Sequence, residues 1–133
     1  MNINGQTALI TGAGRGIGKT IAVKLAESGS DIAIADMNPV SDDVLREIEK
    51  NGTKCLAYQL VVTDVEAVDS VVKKIIDETG GIHILVNNAG ITQDNLFMRM
   101  KPEQWSQVID VNLNGVFYVT KACLLYTSDA ADE

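Results

Sequence analysis

The 133 residues predict an α/β fold, a parallel sheet covered by helices on both faces. Three observations carry that prediction. Short unbroken apolar runs alternate with longer segments of helical periodicity. The runs lack the polar alternation of a half-exposed strand, so both faces of each strand are covered. Turn formers mark the joins, with no internal repeat and no long linker. Hydrophobic residues make up 46% and charged residues 22%, a balance that supports one packed core rather than a disordered chain.

The elements follow in order. Ala8-Leu9-Ile10 reads as the first buried strand. A glycine-rich turn leads into a helix over 17–28, where Ile17, Ile21, Ala22, Leu25 and Ala26 recur at helical spacing. Gly29 stands where a C-terminal cap belongs. The second strand, 32–35, ends at Asp36, and Asn38-Pro39 turns the chain. Ser41 caps a helix carrying Val44, Leu45 and Ile48, which Asn51-Gly52 stops. A third strand is expected over 54–62. Asp64 then caps a helix carrying Val65, Val68, Val72, Ile75 and Ile76, which breaks at Gly80-Gly81. A fourth strand covers 82–86. Pro102 suits a helical first turn, and Trp105, Val108, Ile109, Val111, Leu113, Val116, Phe117 and Val119 mark one or two further helices.

Composition excludes several functions. Eleven Lys+Arg against 18 Asp+Glu give a net charge of -7, which disfavours nucleic acid and anionic membrane as partners. One histidine rules out an all-histidine metal site. Cys55 and Cys123 lie far apart and outside any Cys-x-x-Cys pair, which predicts reduced, buried thiols. The first residues carry neither a basic stretch nor an apolar run, so no signal peptide or membrane span is expected and a cytoplasmic protein is.

The chemistry concentrates in Thr11-Gly12-Ala13-Gly14-Arg15-Gly16-Ile17-Gly18, between a buried strand and an amphipathic helix. Glycines let the backbone approach a ligand closely, and the free N–H groups of a helix start favour a pyrophosphate. The spacing Gly12-x-x-x-Gly16-x-Gly18 departs from the usual G-x-G-x-x-G fingerprint. Residues 13–20 also read A-x-x-x-x-G-K-T, one residue short of a P-loop. A dinucleotide turn, a P-loop and a merely structural turn all remain open on this segment alone. Asp36 favours the first, because a carboxylate ending the second strand accepts hydrogen bonds from the ribose hydroxyls of NAD and repels the extra phosphate of NADP. Its alternative is a solvated strand end or a cap. Arg15 pulls toward NADP, since a guanidinium can pair with a 2′-phosphate. No basic residue follows Asp36 directly, which tips the balance to NAD over NADP.

Thr11-Gly12-x-x-x-Gly16-x-Gly18, Ile84-Leu85-Val86-Asn87-Asn88-Ala89-Gly90 and Val111-Asn112 together resemble the short-chain dehydrogenase/reductase family over about residues 3–123. Within it the chain looks most like the 3-oxoacyl-[acyl-carrier-protein] reductases and nearby sugar or alcohol dehydrogenases. The resemblance implies a Rossmann-like sheet. It also implies roles for residues. Gly12, Gly16 and Gly18 would shape the pyrophosphate turn, and Arg15 and Ile17 would border the cofactor. Asp36 would hold the adenosine ribose. Val62, Asn88, Ala89 and Gly90 would line the cofactor, and Asn112 would bend its helix and hold a water in the catalytic proton relay. Val61 departs from the family, where aspartate often binds the adenine amino group; valine cannot accept that hydrogen bond.

The family's catalytic serine and Tyr-x-x-x-Lys pair have no counterpart here. Tyr118 and Lys121 are three apart, and Tyr58 and Tyr126 precede no lysine at the required place. Ser128 is the only serine after Asn112. Residues 1–123 are therefore expected to be the N-terminal part of a dinucleotide-binding domain, truncated after about four strands in the order 3-2-1-4. Residues 124–133 are expected to be an atypical acidic tail. The chain alone is expected to be inactive, with an exposed apolar edge on the fourth strand. The parent is expected to be a homo-oligomeric oxidoreductase acting on an acyl-carrier-protein-linked or small carbonyl substrate.

Overall fold

The computed structural model describes residues 2–127. Its elements are β1 Thr7–Thr11, α1 Gly16–Glu27, β2 Asp31–Asp36, α2 Asp42–Glu49, β3 Cys55–Gln59, α3 Val65–Thr79, β4 Ile84–Val86, α4 Pro102–Ile109 and α5 Gly115–Thr127. A short 3-10 turn, Phe97–Arg99, precedes α4, and a π-helical turn, Asp110–Asn114, joins α4 to α5. The strands are parallel in the order β3-β2-β1-β4. The order matches the one expected, with β4 at the sheet edge and its three residues half-buried.

Alternation along each strand divides the core into two layers. Ala8 and Ile10 of β1 and Ile32 and Ile34 of β2 meet Ala22 and Ala26 of α1 and Val44 and Ile48 of α2. Leu9, Ala33 and Ala35 point the other way, against Val68, Val72 and Ile75 of α3 and Val119, Ala122 and Cys123 of α5. Leu9, Ile10, Ile32, Ile34, Ile48 and Ile75 are fully enclosed, each stabilising by roughly 1.5–3 kcal/mol relative to exposure. Small residues on the α1 side let that helix lie close to the sheet.

Two strands are shorter than expected. The ladder between β2 and β3 ends at Asp36 and Gln59. Leu60 still donates to the Asp36 carbonyl at 2.9 Å, after which Leu60 and Val62 bury themselves from a loop. Their hydrophobicity therefore reflects core packing rather than strand pairing. β4 starts at Ile84 because His83 pairs with Thr7 differently. Its backbone N–H donates to the Thr7 carbonyl, and its Nδ1 accepts from the Thr7 N–H at 3.0 Å.

The helix signals hold. Ser41 Oγ accepts from Val44 N–H at 3.4 Å, and Asp64 Oδ1 accepts from Ala67 N–H at 3.1 Å. Gly80, left-handed at φ 94°, ends α3 by donating to the Ile76 carbonyl. Pro102 opens α4. The helical run Pro102–Thr127 is long and apolar enough to cross a membrane by length and composition alone, where no membrane span is expected. In this fold its α5 half packs on α3 and closes the core. α5 continues to Thr127, past the expected boundary at Cys123. Ser128 and the rest of the tail lie outside the described residues.

Candidate functional site

A cleft of about 510 Å³ opens beyond the carboxyl ends of β1, β2 and β4. That is where open α/β sheets place ligands. It brings together Gly12, Arg15, Gly16, Asp36, Val62, Asn88, Ala89 and Gly90 from the ends of the four strands and the segments that follow them.

The first turn is built on close approach. Gly12 has φ +69°, and a Cβ there would stand 3.0 Å from Ala89 Cα. Its N–H donates to the Ala35 carbonyl at 2.8 Å, fixing the turn to β2. Arg15 is the N-cap of α1 in an extended conformation, and no side chain caps the first-turn donors. No acidic residue lies in that turn. Open space surrounds the position where a Gly16 Cβ would stand. The result is a helix start with unsatisfied donors, a positive dipole end and an open cradle. Residues and space fit a diphosphate.

Two of the site residues expected in this turn do not line the cleft. Ile17 is 75% exposed and lies outside its lining. Gly18 is buried beneath the turn, where a Cβ would come within 2.4 Å of Asn88 Nδ2 and 2.7 Å of the Gly12 carbonyl. Its contribution is packing rather than ligand approach. The P-loop alternative fails on geometry. Lys19 Nζ pairs with Glu47 at 2.9 Å, bridging α1 to α2, and Thr20 Oγ1 donates to the Gly16 carbonyl at 3.2 Å. Lys19 lowers the Glu47 pKa through that hydrogen bond and its charge. Both P-loop side chains are thus engaged away from the cleft.

Asp36 is half-buried at the cleft wall. Its Oδ2 accepts from Gly14 N–H at 3.0 Å and its Oδ1 from Asn38 N–H at 2.9 Å. Each carboxylate oxygen has capacity for a further donor. The carboxylate thus organises the local turn, and its remaining acceptor capacity suits a diol. Beside it, Val61 is half-exposed on the cleft wall and offers no acceptor from its side chain.

The turn after β4 is bolted to the glycine turn. Thr11 Oγ1 accepts from both Asn88 N–H and Ala89 N–H, at 3.0 and 2.9 Å. Asn88 Nδ2 donates to the Gly12 carbonyl at 3.0 Å, and Asn87 Nδ2 donates to Thr120 Oγ1 of α5 at 3.1 Å. Thr11 and Asn87 were not among the predicted site residues. The signal for Thr11 was a polar residue ending an otherwise apolar strand.

Asn112 lies in the π-helical turn and does not line the cleft. Its amide clamps the next loop: Oδ1 accepts from Ile91 N–H at 2.8 Å and Nδ2 donates to the Ile91 carbonyl at 2.9 Å. The wide turn is the distortion expected at this position. Gly115, immediately after it, packs against Val62, whose Cγ2 would be 2.6 Å from an added Cβ. Among the described residues, no group of three or more His, Cys, Asp or Glu side chains converges as a metal site. A second, shallow depression of about 660 Å³ on the π-helical turn and α5 is lined by Leu113, Val116, Phe117 and Leu125, among others. It lacks the converging polar groups of the cleft.

The family model for short chain dehydrogenases matches residues 6–131. The chain belongs to the short-chain dehydrogenase family. The match extends past the 3–123 span seen in the motifs. A Staphylococcus aureus (strain Mu50) protein named 3-oxoacyl-[acyl-carrier-protein] reductase is 46% identical over 114 residues, 84% of this chain and 46% of that protein. The structure of a short-chain type dehydrogenase/reductase from Mycobacterium marinum superposes with TM-score 0.88 at 36% identity, covering 92% of this chain and 50% of that one. An NAD+-bound xylitol dehydrogenase superposes with TM-score 0.91 at 31% identity, covering 98% of this chain and 50% of that one. The chain spans about half the length of these relatives. Its fold is the dinucleotide-binding sheet of this oxidoreductase family.

Proposed function

We propose that the cleft binds NAD in preference to NADP and that the whole protein is an oxidoreductase resembling the 3-oxoacyl-[acyl-carrier-protein] reductases. One observation carries the cofactor reading: an uncapped helix start and a carboxylate share one cleft. The first-turn N–H groups of α1, with Gly12, Arg15 and Gly16 around them, receive the pyrophosphate. Gly18 holds the turn down, and the backbone of Ile17 belongs to the same first turn. Asp36 accepts hydrogen bonds from the adenosine ribose and repels a 2′-phosphate. Val62, Asn88, Ala89 and Gly90 line the same cleft. When bound, the dinucleotide supplies the hydride for carbonyl reduction. Asn112 holds the loop at Ile91, a positioning role for its amide beside the catalytic role inferred from the family.

The substrate assignment rests on the 46% identity to proteins named for 3-oxoacyl thioesters. A sugar or alcohol dehydrogenase is the second reading, favoured by the superposition on xylitol dehydrogenase. The 133 residues contain no Tyr-x-x-x-Lys. A tyrosine needs a nearby cation to transfer a proton at neutral pH. The chain by itself is therefore proposed to bind dinucleotide without reducing a carbonyl.

Calorimetric titration of the chain with NAD, NADP and magnesium-ATP tests the cofactor reading. NAD is expected to bind most tightly, and Asp36→Ala to erase its advantage over NADP. No binding of either dinucleotide, or magnesium-dependent ATP binding instead, would overturn it. Assays of a protein extended through the family's catalytic segment, with a 3-oxoacyl thioester and with xylitol, separate the two substrate readings.

A further inference from the structure

We infer that Gly14 is a positioning residue for cofactor choice, acting through Asp36; this rests on the proposed binding of NAD in the cleft. Gly14 has no positive φ, unlike Gly12 and Gly16, so its backbone does not require glycine. The space around it does. A Cβ at residue 14 would stand 3.0 Å from Asp36 Oδ2 and 3.5 Å from Asp36 Cγ, with Val40 Cγ2 at 3.7 Å on another side. A methyl group in that position obliges the carboxylate to give by a few tenths of an ångström, while Val40 stays in ordinary contact.

The same residue also holds the carboxylate. Gly14 N–H donates to Asp36 Oδ2 at 3.0 Å, while Asn38 N–H donates to Oδ1 at 2.9 Å. Two backbone donors thus pin both oxygens, and the missing side chain at residue 14 lets the turn carry its donor this close. Gly14 therefore couples the pyrophosphate turn to the ribose-reading group, although Gly14 does not line the cleft. Displacing the carboxylate by a few tenths of an ångström degrades its contacts with a diol, because hydrogen bonds weaken steeply with poor alignment. It leaves the first-turn donors of α1, which bind both dinucleotides alike, in place. The expected signature is a change in preference rather than a general loss of binding.

The test is a double-mutant cycle on the chain, read by calorimetric titration with NAD and NADP, with thermal unfolding measured on every variant. Gly14→Ala is expected to weaken NAD binding about three- to tenfold and NADP binding by less than about twofold. In an Asp36→Ala background, Gly14→Ala should no longer change the NAD-to-NADP ratio. Adding Val40→Ala to Gly14→Ala removes only an ordinary contact and should not restore the preference. The Gly14→Ala, Asp36→Ala double variant removes the close contact itself and supplies a folded variant should Gly14→Ala alone unfold. Equal weakening of both dinucleotides, or a ratio change that persists in the Asp36→Ala background, would make Gly14 merely structural. If the unmodified chain binds neither dinucleotide, the cleft reading fails and this inference with it. If Asp36→Ala shifts the preference and Gly14→Ala does not, only the inference fails.

Discussion

Helices α1 and α3 each follow a parallel strand of one sheet, yet they begin in opposite ways. At α3, Asp64 accepts from Ala67 N–H, and Glu66 places negative charge in the first turn. Both complement the helix dipole. At α1, Arg15 occupies the N-cap without a capping bond, and the first turn holds no acid. Forgoing a cap costs roughly 0.5–2 kcal/mol. Packing offsets it: Gly18, Ala22 and Ala26 are buried, and Lys19 ties α1 to Glu47 of α2. One helix start is complete within the fold. The other leaves its first-turn donors open toward the cleft.

The largest expected effect comes from breaking the packing that tolerates the uncapped start. Gly18→Ala puts a methyl group against Asn88 Nδ2 and the backbone of Gly12 and Ala13. A loss of about 2–3 kcal/mol in stability is expected, measured by urea unfolding, with dinucleotide binding reduced alongside. Arg15→Asp makes α1 resemble α3. Dinucleotide affinity should fall about tenfold or more while stability holds or rises slightly. Unchanged affinity by titration would remove the anion from the account of α1. Asp64→Ala is the converse. It should cost about 1 kcal/mol in unfolding and leave dinucleotide affinity unaltered.

The smallest effect probes the layers beneath the two helices. Cys55 lies in the α1/α2 layer and Cys123 in the α3/α5 layer. Burial, with the nearby Glu49 charge, pushes the Cys55 thiol up to about 12 from its ordinary 9.0. Burial alone pushes Cys123 up to about 11. The folded state favours neutral thiols, so this contribution is complete below the unfolded value of 9.0 and is lost as pH rises through about 11 and about 12. Alkylation by iodoacetamide should be slow in the native chain and fast in urea. Fast labelling of Cys123 alone would show that the α3/α5 layer opens more readily.

Much of the scaffold was legible because buried strands and capped helices leave local marks. Ile32 to Ala35 could only be a covered strand, and Ser41 and Asp64 stand directly before their periodic segments. Family motifs name Gly12, Arg15, Gly16, Asp36 and Asn88, and the fold brings these five to one cleft. What escaped depends on distance along the chain. Thr11 joins residues 77 and 78 positions away, and nothing near it in sequence announces that. Gly18 belongs to the motif, but its tight neighbours include Asn88, far along the chain. Leu60 and Val62 are apolar because the core needs them, and that resembles strand pairing until the end of β2 is known.

The π-helical turn at 110–114 has a consequence for what this segment tolerates. A wide turn accommodates an extra residue within an otherwise regular helix. Each residue of an α-helix advances the face by about 100°. Removing one residue from the turn and regularising the helix would rotate everything from Gly115 onward by about that angle. Val119, Ala122 and Cys123 would swing off the core they share with α3. The segment therefore acts as a phase adjuster between α4 and α5. Asn112, which clamps Ile91, is held by its identity, but the turn as a whole is held by its length, and a single deletion there should be more damaging than most substitutions at the other positions.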